Sequence, residues 1–182
     1  MTATFTRMDE SNQEQWMQII GASIESSGRT AGRVLGMLRS LEEIVDGFGV
    51  NQLVHCLQTA TLAEKAGADE EMVVASLCHD IGKAVSVPNH GAIAAEILKP
   101  YVRPEVHSVI RTHQDFQGKH YYEHLGLDPN AREQYRDEPW FSMGEQFADE
   151  WDQIAFDPDG ETYPLEHFEP AVRRVFASGR LT

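Results

Sequence analysis

Residues 69–78 constrain the fold more than any other stretch of the chain. Asp69 is a good N-cap, Glu70 and Glu71 place negative charge in a first turn that favours it, and Met72, Val73, Val74, Ala75, Leu77 and Cys78 follow. A helix apolar nearly all round belongs inside a core. This one ends in His79-Asp80, so it carries two ionisable groups into an interior where an unpaired charge is costly. Whatever fold forms around the segment must supply partners for that pair. Gly82 reads as the terminator that follows.

The rest of the pattern is helical almost throughout, which makes the chain all-α, a helical bundle with few or no strands. Asn51 caps a helix with Leu53, Val54, Leu57, Thr61 and Leu62 on one side, stopping at Gly67. Further helices open near Asn89 and near Pro104, and others cover about 142–156 and 164–177, with the turn Asp157-Pro158-Asp159-Gly160 between them. Residues 12–25 and 31–45 read as two N-terminal helices, and 114–140 as a polar, aromatic-rich connection. At 182 residues the chain is expected to form a single domain, 1–182, with its chemistry in a core at about 51–171 and N-terminal helices over about 1–45.

Charge excludes several roles. Lys and Arg number 15 against 29 Asp and Glu, a formal net charge of −14 that repels nucleic-acid backbones and anionic lipid. Neither a nucleic-acid nor a membrane partner is expected. The longest nearly apolar run, Met72 to Cys78, is far short of the ~20 residues a span needs, and no leader pattern stands at the N-terminus. A cytoplasmic location follows as the expectation. Cys56 and Cys78 read as reduced, buried thiols, too few for a disulfide framework.

His55, His79, Asp80, His90 and His113 all fall on expected helices or their ends, and Asp152 falls on a later one. Neutral imidazole and ionised carboxylate suit divalent metals, and packed helices hold such ligands while leaving coordination positions open. Neighbours on a helix point about 100° apart, so His79 can serve one metal while the Asp80 carboxylate bridges it to a second. One metal then takes His55, His79, Asp80 and Asp152; the other takes Asp80, His90 and His113. Such a centre is locally positive inside an acidic chain and suits a small anionic or zwitterionic substrate. Taken singly, a helical His is more often a hydrogen-bonded core residue, and His107, His120, His124 and His167 are read that way.

His55, then His79-Asp80-Ile81-Gly82-Lys83, His90, His113 and Asp152, resembles the HD-domain superfamily of metal-dependent phosphohydrolases and oxygenases. The additional His90 and His113 resemble its dinuclear branch, the mixed-valent diiron oxygenases, and most closely those of the PhnZ and TmpB type. That resemblance runs from about Asn51 to Ala171 and includes Asn51-Gln52-Leu53-Val54-His55, Ala66-Gly67-Ala68-Asp69-Glu70-Glu71-Met72-Val73, Lys119-His120-Tyr121 and Trp151-Asp152. It implies two Fe ions as an Fe(II)/Fe(III) pair, O2 as co-substrate, and oxidative cleavage of a carbon–phosphorus bond. It also implies an upstream hydroxylase that installs the substrate hydroxyl.

By the same resemblance, Lys83 and Lys119 fall where the family places phosphonate-binding basic residues. Two departures bear on the other end of the substrate. The relatives acting on a primary amine carry a Tyr and a Glu where this chain has Val45 and Phe48, and an Arg where it has Asp149. A lost cation and a gained anion point to a quaternary ammonium, held by aromatic faces and carboxylates drawn from Phe116, Tyr121, Tyr122, Trp140, Phe141 and Trp151 with Asp115 and Asp149. The expected reaction is then oxidation of (R)-1-hydroxy-2-(trimethylammonio)ethylphosphonate to glycine betaine and phosphate, the same cleavage of 1-hydroxy-2-aminoethylphosphonate being the alternative. A metal-dependent HD phosphohydrolase also remains open, because Lys83 after His79-Asp80 is as common there.

Overall fold

The computed structural model describes residues 4–179, and among them there are eight α-helices and no strand. They are α1 (Gln13–Ser27), α2 (Thr30–Ser40), α3 (Gln52–Lys65), α4 (Glu70–Cys78), α5 (His90–Leu98), α6 (Pro104–Gln117), α7 (Phe141–Gln146) and α8 (Leu165–Ala177). The all-α expectation holds. Local chemistry sets most of the boundaries. Asn51 and Asp69 accept from the backbone N–H groups of Val54 and Met72, capping α3 and α4, and Pro104 opens α6, where its missing N–H is no loss. Gly67 adopts φ +81° and turns the chain from α3 into α4.

Two antiparallel hairpins, α3–α4 and α5–α6, form the middle of the bundle, and α8 closes it against α2 and α4. Leu38, Val74, Leu77, Leu98, Val109, Ile110, Phe116, Phe147 and Val172 are fully excluded from solvent in one continuous apolar cluster. Each large member contributes on the order of 1.5–3 kcal/mol by burial. Arg103 ties the start of α6 to the start of α4 through Asp69 at 2.6 Å and Glu71 at 3.2 Å.

Three local readings are corrected. The helix expected to stop near His113 runs on to Gln117, and the connection beyond it is ordered into 3-10 turns at Gly118–His120, Tyr122–Leu125 and Ala131–Tyr135. The helix expected over 142–156 is α7 followed by a π-helical turn, Phe147–Asp152. Gly82 is not a helix stop, since α4 has already ended at Cys78. It is glycine because a Cβ there would overlap the backbone of His90, so it lets the start of α5 lie directly against the His79-Asp80 corner.

Candidate metal centre

Six buried side chains converge on one point of the bundle. α3 supplies His55 from its first turns; the C-terminal end of α4 supplies His79 and Asp80; α5 and α6 supply His90 and His113; and the π-turn supplies Asp152. Their exposures run from 0% to 6%. A second glycine enables the assembly, because a Cβ on Gly91 would lie 2.9 Å from Cε1 of His113. Gly82 therefore lets the two hairpins close on His90, and Gly91 lets α5 and α6 bring His90 and His113 together. The wider turn at 147–152 places Phe147 and Trp151 in the core while turning Asp152 to the histidines. Single π-turns of this kind are frequent at functional sites.

Asp80 divides the cluster. Its Oδ2 lies 3.6 Å from Nε2 of His55 and 3.5 Å from Nε2 of His79, whereas its Oδ1 lies 2.9 Å from Nε2 of His90 and 3.6 Å from Nε2 of His113. Each carboxylate oxygen thus faces its own pair of histidines. Oδ1 of Asp152 joins the first pair, 3.1 Å from His55 and 3.4 Å from His79. The ligand atoms of His55, His79 and Asp152 lie within 4.8 Å of one another, as do those of His79, Asp80 and His113. His79 accordingly stands between the two groups, where the sequence had assigned it to one metal only.

Every ring is fixed from behind. Nδ1 of His79, His90 and His113 donates to the carbonyl three residues earlier, on Ser76, Val87 and Ile110, at 2.8, 2.7 and 2.7 Å. Nδ1 of His55 donates to the Ala155 carbonyl at 3.0 Å, and the Phe156 ring stacks on the same imidazole at 4.1 Å. With Nδ1 protonated, each neutral ring presents a bare Nε2 lone pair inward.

Those lone pairs test whether a metal fits. Nε2 of His55 and Nε2 of His79 are 3.1 Å apart, and Nε2 of His90 and Nε2 of His113 are 3.3 Å apart. Two lone pairs so placed repel each other, two N–H groups would do the same, and a single N–H between them would make one ring of the pair a cation, its Nδ1 already donating to a carbonyl. Oδ1 of Asp80 and both oxygens of Asp152 are buried without a hydrogen-bond donor of ordinary geometry. Burial opposes ionisation of both carboxyls, yet both are held below their usual range by positive charge or a proton on the groups facing them, His79, His113, His90 and Lys83 for Asp80 and His79 and His55 for Asp152, a part that a cation between them would also play. Inward lone pairs around ionised carboxylates are what divalent cations require. The donor set fits metal, and Asp80 is the residue that turns one oxygen to each pair of histidines.

The residues expected to touch substrate are differently disposed. Lys83 is at the site, but its ammonium lies 2.7 Å from Oδ2 of Asp80 and 2.9 Å from Oε1 of Gln52. Tyr121 is half-buried beside the centre; burial first, then Tyr122 and the Asp152 and Asp80 carboxylates, push its phenol up to about 12. Asp149 is not a free anion. Lys119 at 3.1 Å, His120 at 2.9 Å and Arg132 at 2.9 Å surround it, and they outweigh burial to hold its carboxyl below the usual range. The cation missing from position 149 is thus supplied by Arg132, 17 residues earlier in the chain. Of the aromatic candidates, Phe116, Trp140, Phe141 and Trp151 are core residues, leaving Tyr121 and Tyr122 partly open.

Sequence reasoning gave no role to Gln52, Phe156, Gly91 or Arg132. Gln52 carries a signal in retrospect: it is a polar residue on the buried side of an apolar helix, fully excluded from solvent. The other three act through contacts distant along the chain. His107 and His167 meet Glu96 and Glu64 at the surface, and His120 meets Asp149, so none of these three enters the cluster. Both cysteines are buried free thiols, and burial pushes Cys78 up to about 12. Among the described residues no helix is long and apolar enough to cross a membrane.

A bundle of this topology, with a buried His/Asp cluster where its two hairpins meet, marks a helical domain whose side chains could hold metal ions. The HD domain family matches residues 53–157, and the chain belongs to that family. No curated protein matches it.

Proposed function

We propose that the protein is a dinuclear metal-dependent HD enzyme that cleaves a carbon–phosphorus bond oxidatively. The substrate we assign is (R)-1-hydroxy-2-(trimethylammonio)ethylphosphonate, converted with O2 to glycine betaine and phosphate. The observation that carries this reading is the Asp80 carboxylate, with one oxygen toward His55 and His79 and the other toward His90 and His113. A mononuclear hydrolase has no use for the second pair. An iron pair held by His55, His79, Asp80, His90, His113 and Asp152 would supply the electrons and the O2 site that zinc or magnesium lacks.

The protein's own groups do the rest. The Nδ1 bonds hold the rings in one tautomer, and Phe147 and Phe156 pack on them and exclude water. Lys83 adds a positive charge beside Asp80 that attracts the phosphonate dianion, and Lys119 adds another farther out. Tyr121 stays protonated at neutral pH and offers a hydroxyl to the phosphonate, while the Tyr121–Tyr122 pair, at 5.0 Å between centroids, presents π-faces to the trimethylammonium end. The substrate's hydroxyl implies an upstream hydroxylase as the pathway partner, and buried reduced thiols fit a cytoplasmic setting.

Protein made in iron-replete cells tests the reading by metal analysis, EPR after partial reduction, and O2 uptake with each phosphonate. Two irons per chain, a mixed-valent signal altered by the trimethylammonio compound, and one O2 consumed per phosphate released are expected. A single non-iron metal, with phosphate released from esters and no O2 uptake, would establish a hydrolase instead.

A further inference from the structure

Phe48 is a phenylalanine left 47% exposed, on a short loop that supplies no ligand to the centre. Its placement is closely specified nonetheless. Asp46 has φ +50° and Gly47 φ +82°, two successive residues in the left-handed region, and Asp46 is the only non-glycine of that kind among the described residues. The Gln52 N–H donates to the Ile44 carbonyl at 2.8 Å and closes the loop onto the start of α3.

The turn sets Phe48 into a stack of three rings. Phe48 lies on Phe156 with centroids 4.5 Å and planes 19° apart, and Phe156 lies on the His55 imidazole at 4.1 Å and 11°. Two rings cannot share one face of a third at those distances, so Phe48 and His55 take opposite faces of Phe156. The stack runs from the surface to a side chain that is 1% exposed. The segment carrying Phe156 touches His55 twice more: Oδ1 of Asp152 lies 3.1 Å from its Nε2, and the Ala155 carbonyl accepts from its Nδ1 at 3.0 Å. Gly49 seats the loop on that segment, since a Cβ there would lie 3.0 Å from the Phe156 carbonyl oxygen. The other pair is supported differently, His113 meeting Phe147 and His90 meeting His113.

We propose that Phe48 is a positioning residue for one half of the centre, holding the plane of His55, and so the aim of its Nε2, through Phe156. An imidazole bonded at one nitrogen can still swing about that bond. A flat ring against its face stops the swing, and a second flat ring keeps the first from yielding. The hold on His55 does not depend on the reaction; its effect on an ion rests on the dinuclear reading.

NMR of the full chain with isotope-labelled histidine, before and after addition of zinc as a redox-silent ion, tests the proposal. Phe48→Leu keeps apolar bulk but loses the flat face, and at a half-exposed position it should leave the circular dichroism unchanged. Solvent exchange of the His55 Nδ1 proton should quicken at least about tenfold, with His90 and His113 unaffected, and chelator competition should show one zinc ion weakened about 10–100-fold and the other held as in the wild type. Phe48→Tyr should restore both. A Phe48→Leu protein that behaves as the wild type, a Phe48→Tyr protein as impaired as Phe48→Leu, or equal losses at His55 and His113 would each overturn the inference. A wild type that takes up no zinc while its His55 proton still depends on Phe48 would uphold it and remove the proposed function instead.

Discussion

Replacing Gly91 by alanine removes no ligand, yet it should impair the centre selectively. Helix propensity alone says the change stabilises α5, by up to about 1 kcal/mol. The structure says something further. The new Cβ would sit 2.9 Å from Cε1 and 3.1 Å from Nδ1 of His113, and ordinary contact begins near 3.4 Å, so the ring or the α5–α6 spacing must give by about 0.5 Å. Nδ1 is the atom that donates to the Ile110 carbonyl at 2.7 Å, and Phe147 blocks escape on another side, so the displacement falls on the aim of Nε2. Loss of an orienting contact of this kind typically lowers metal affinity 10–100-fold. Competitive chelator titration should therefore show one ion held as in the wild type and a second weakened by that factor, with the melting temperature changed by no more than a few degrees. Gly36→Ala, on a surface with nothing within 4 Å of the new methyl, is the control and should only stabilise. Two ions bound at wild-type affinity in Gly91→Ala would refute the reasoning.

Asp80→Ala should strip both ions, measured as metal per chain after desalting; retention of one tightly bound ion would argue against a bridging role. Arg132→Met leaves Asp149 without its buried cation and should cost about 1–3 kcal/mol, read in urea denaturation, with Lys119 and His120 retaining part of the pairing. Asp69→Ala removes the α4 cap and should cost about 1 kcal/mol. The Arg103 hydrogen bond, against an opposing effect of burial, holds the Asp69 carboxyl below its ordinary value, so the ion pair's contribution is full above pH ~4 and is lost as pH falls through the lowered value. The melting-temperature gap between wild type and Asp69→Ala should narrow over that acidic window.

The parts of this fold written in periodicity and caps could be read directly. Asn51, Asp69 and Pro104 mark helix starts within a residue of those observed, and His79-Asp80 at the end of an apolar helix marked where the buried His/Asp cluster lies. What sequence did not disclose is of two kinds. The π-turn at 147–152 and the 3-10 turns at 118–135 differ from an α-helix by one residue in the spacing of their hydrogen bonds, a difference that hydrophobic spacing over so few residues cannot resolve. Contacts between distant positions were equally hidden. That Arg132 neutralises Asp149, that Lys83 rests on Asp80 and Gln52, and that Gly82 and Gly91 exist for close approach all depend on which segments meet. Asp149 is the example: a position read along one element as a lost cation and a gained anion is already paired with Arg132 from another.

The bonds from His79, His90 and His113 to carbonyls three residues earlier bear on how the cluster would take up and release an ion. Each ring is clamped by its own stretch of backbone, so its aim travels with that segment as a rigid unit when the bundle breathes. Separation of the α3–α4 and α5–α6 hairpins would part the ligands without scrambling them. An ion held between Asp80 and the His90–His113 pair would then be captured and released along the distance between two hairpins, and those ligands would meet again on each closure without a search through ring orientations.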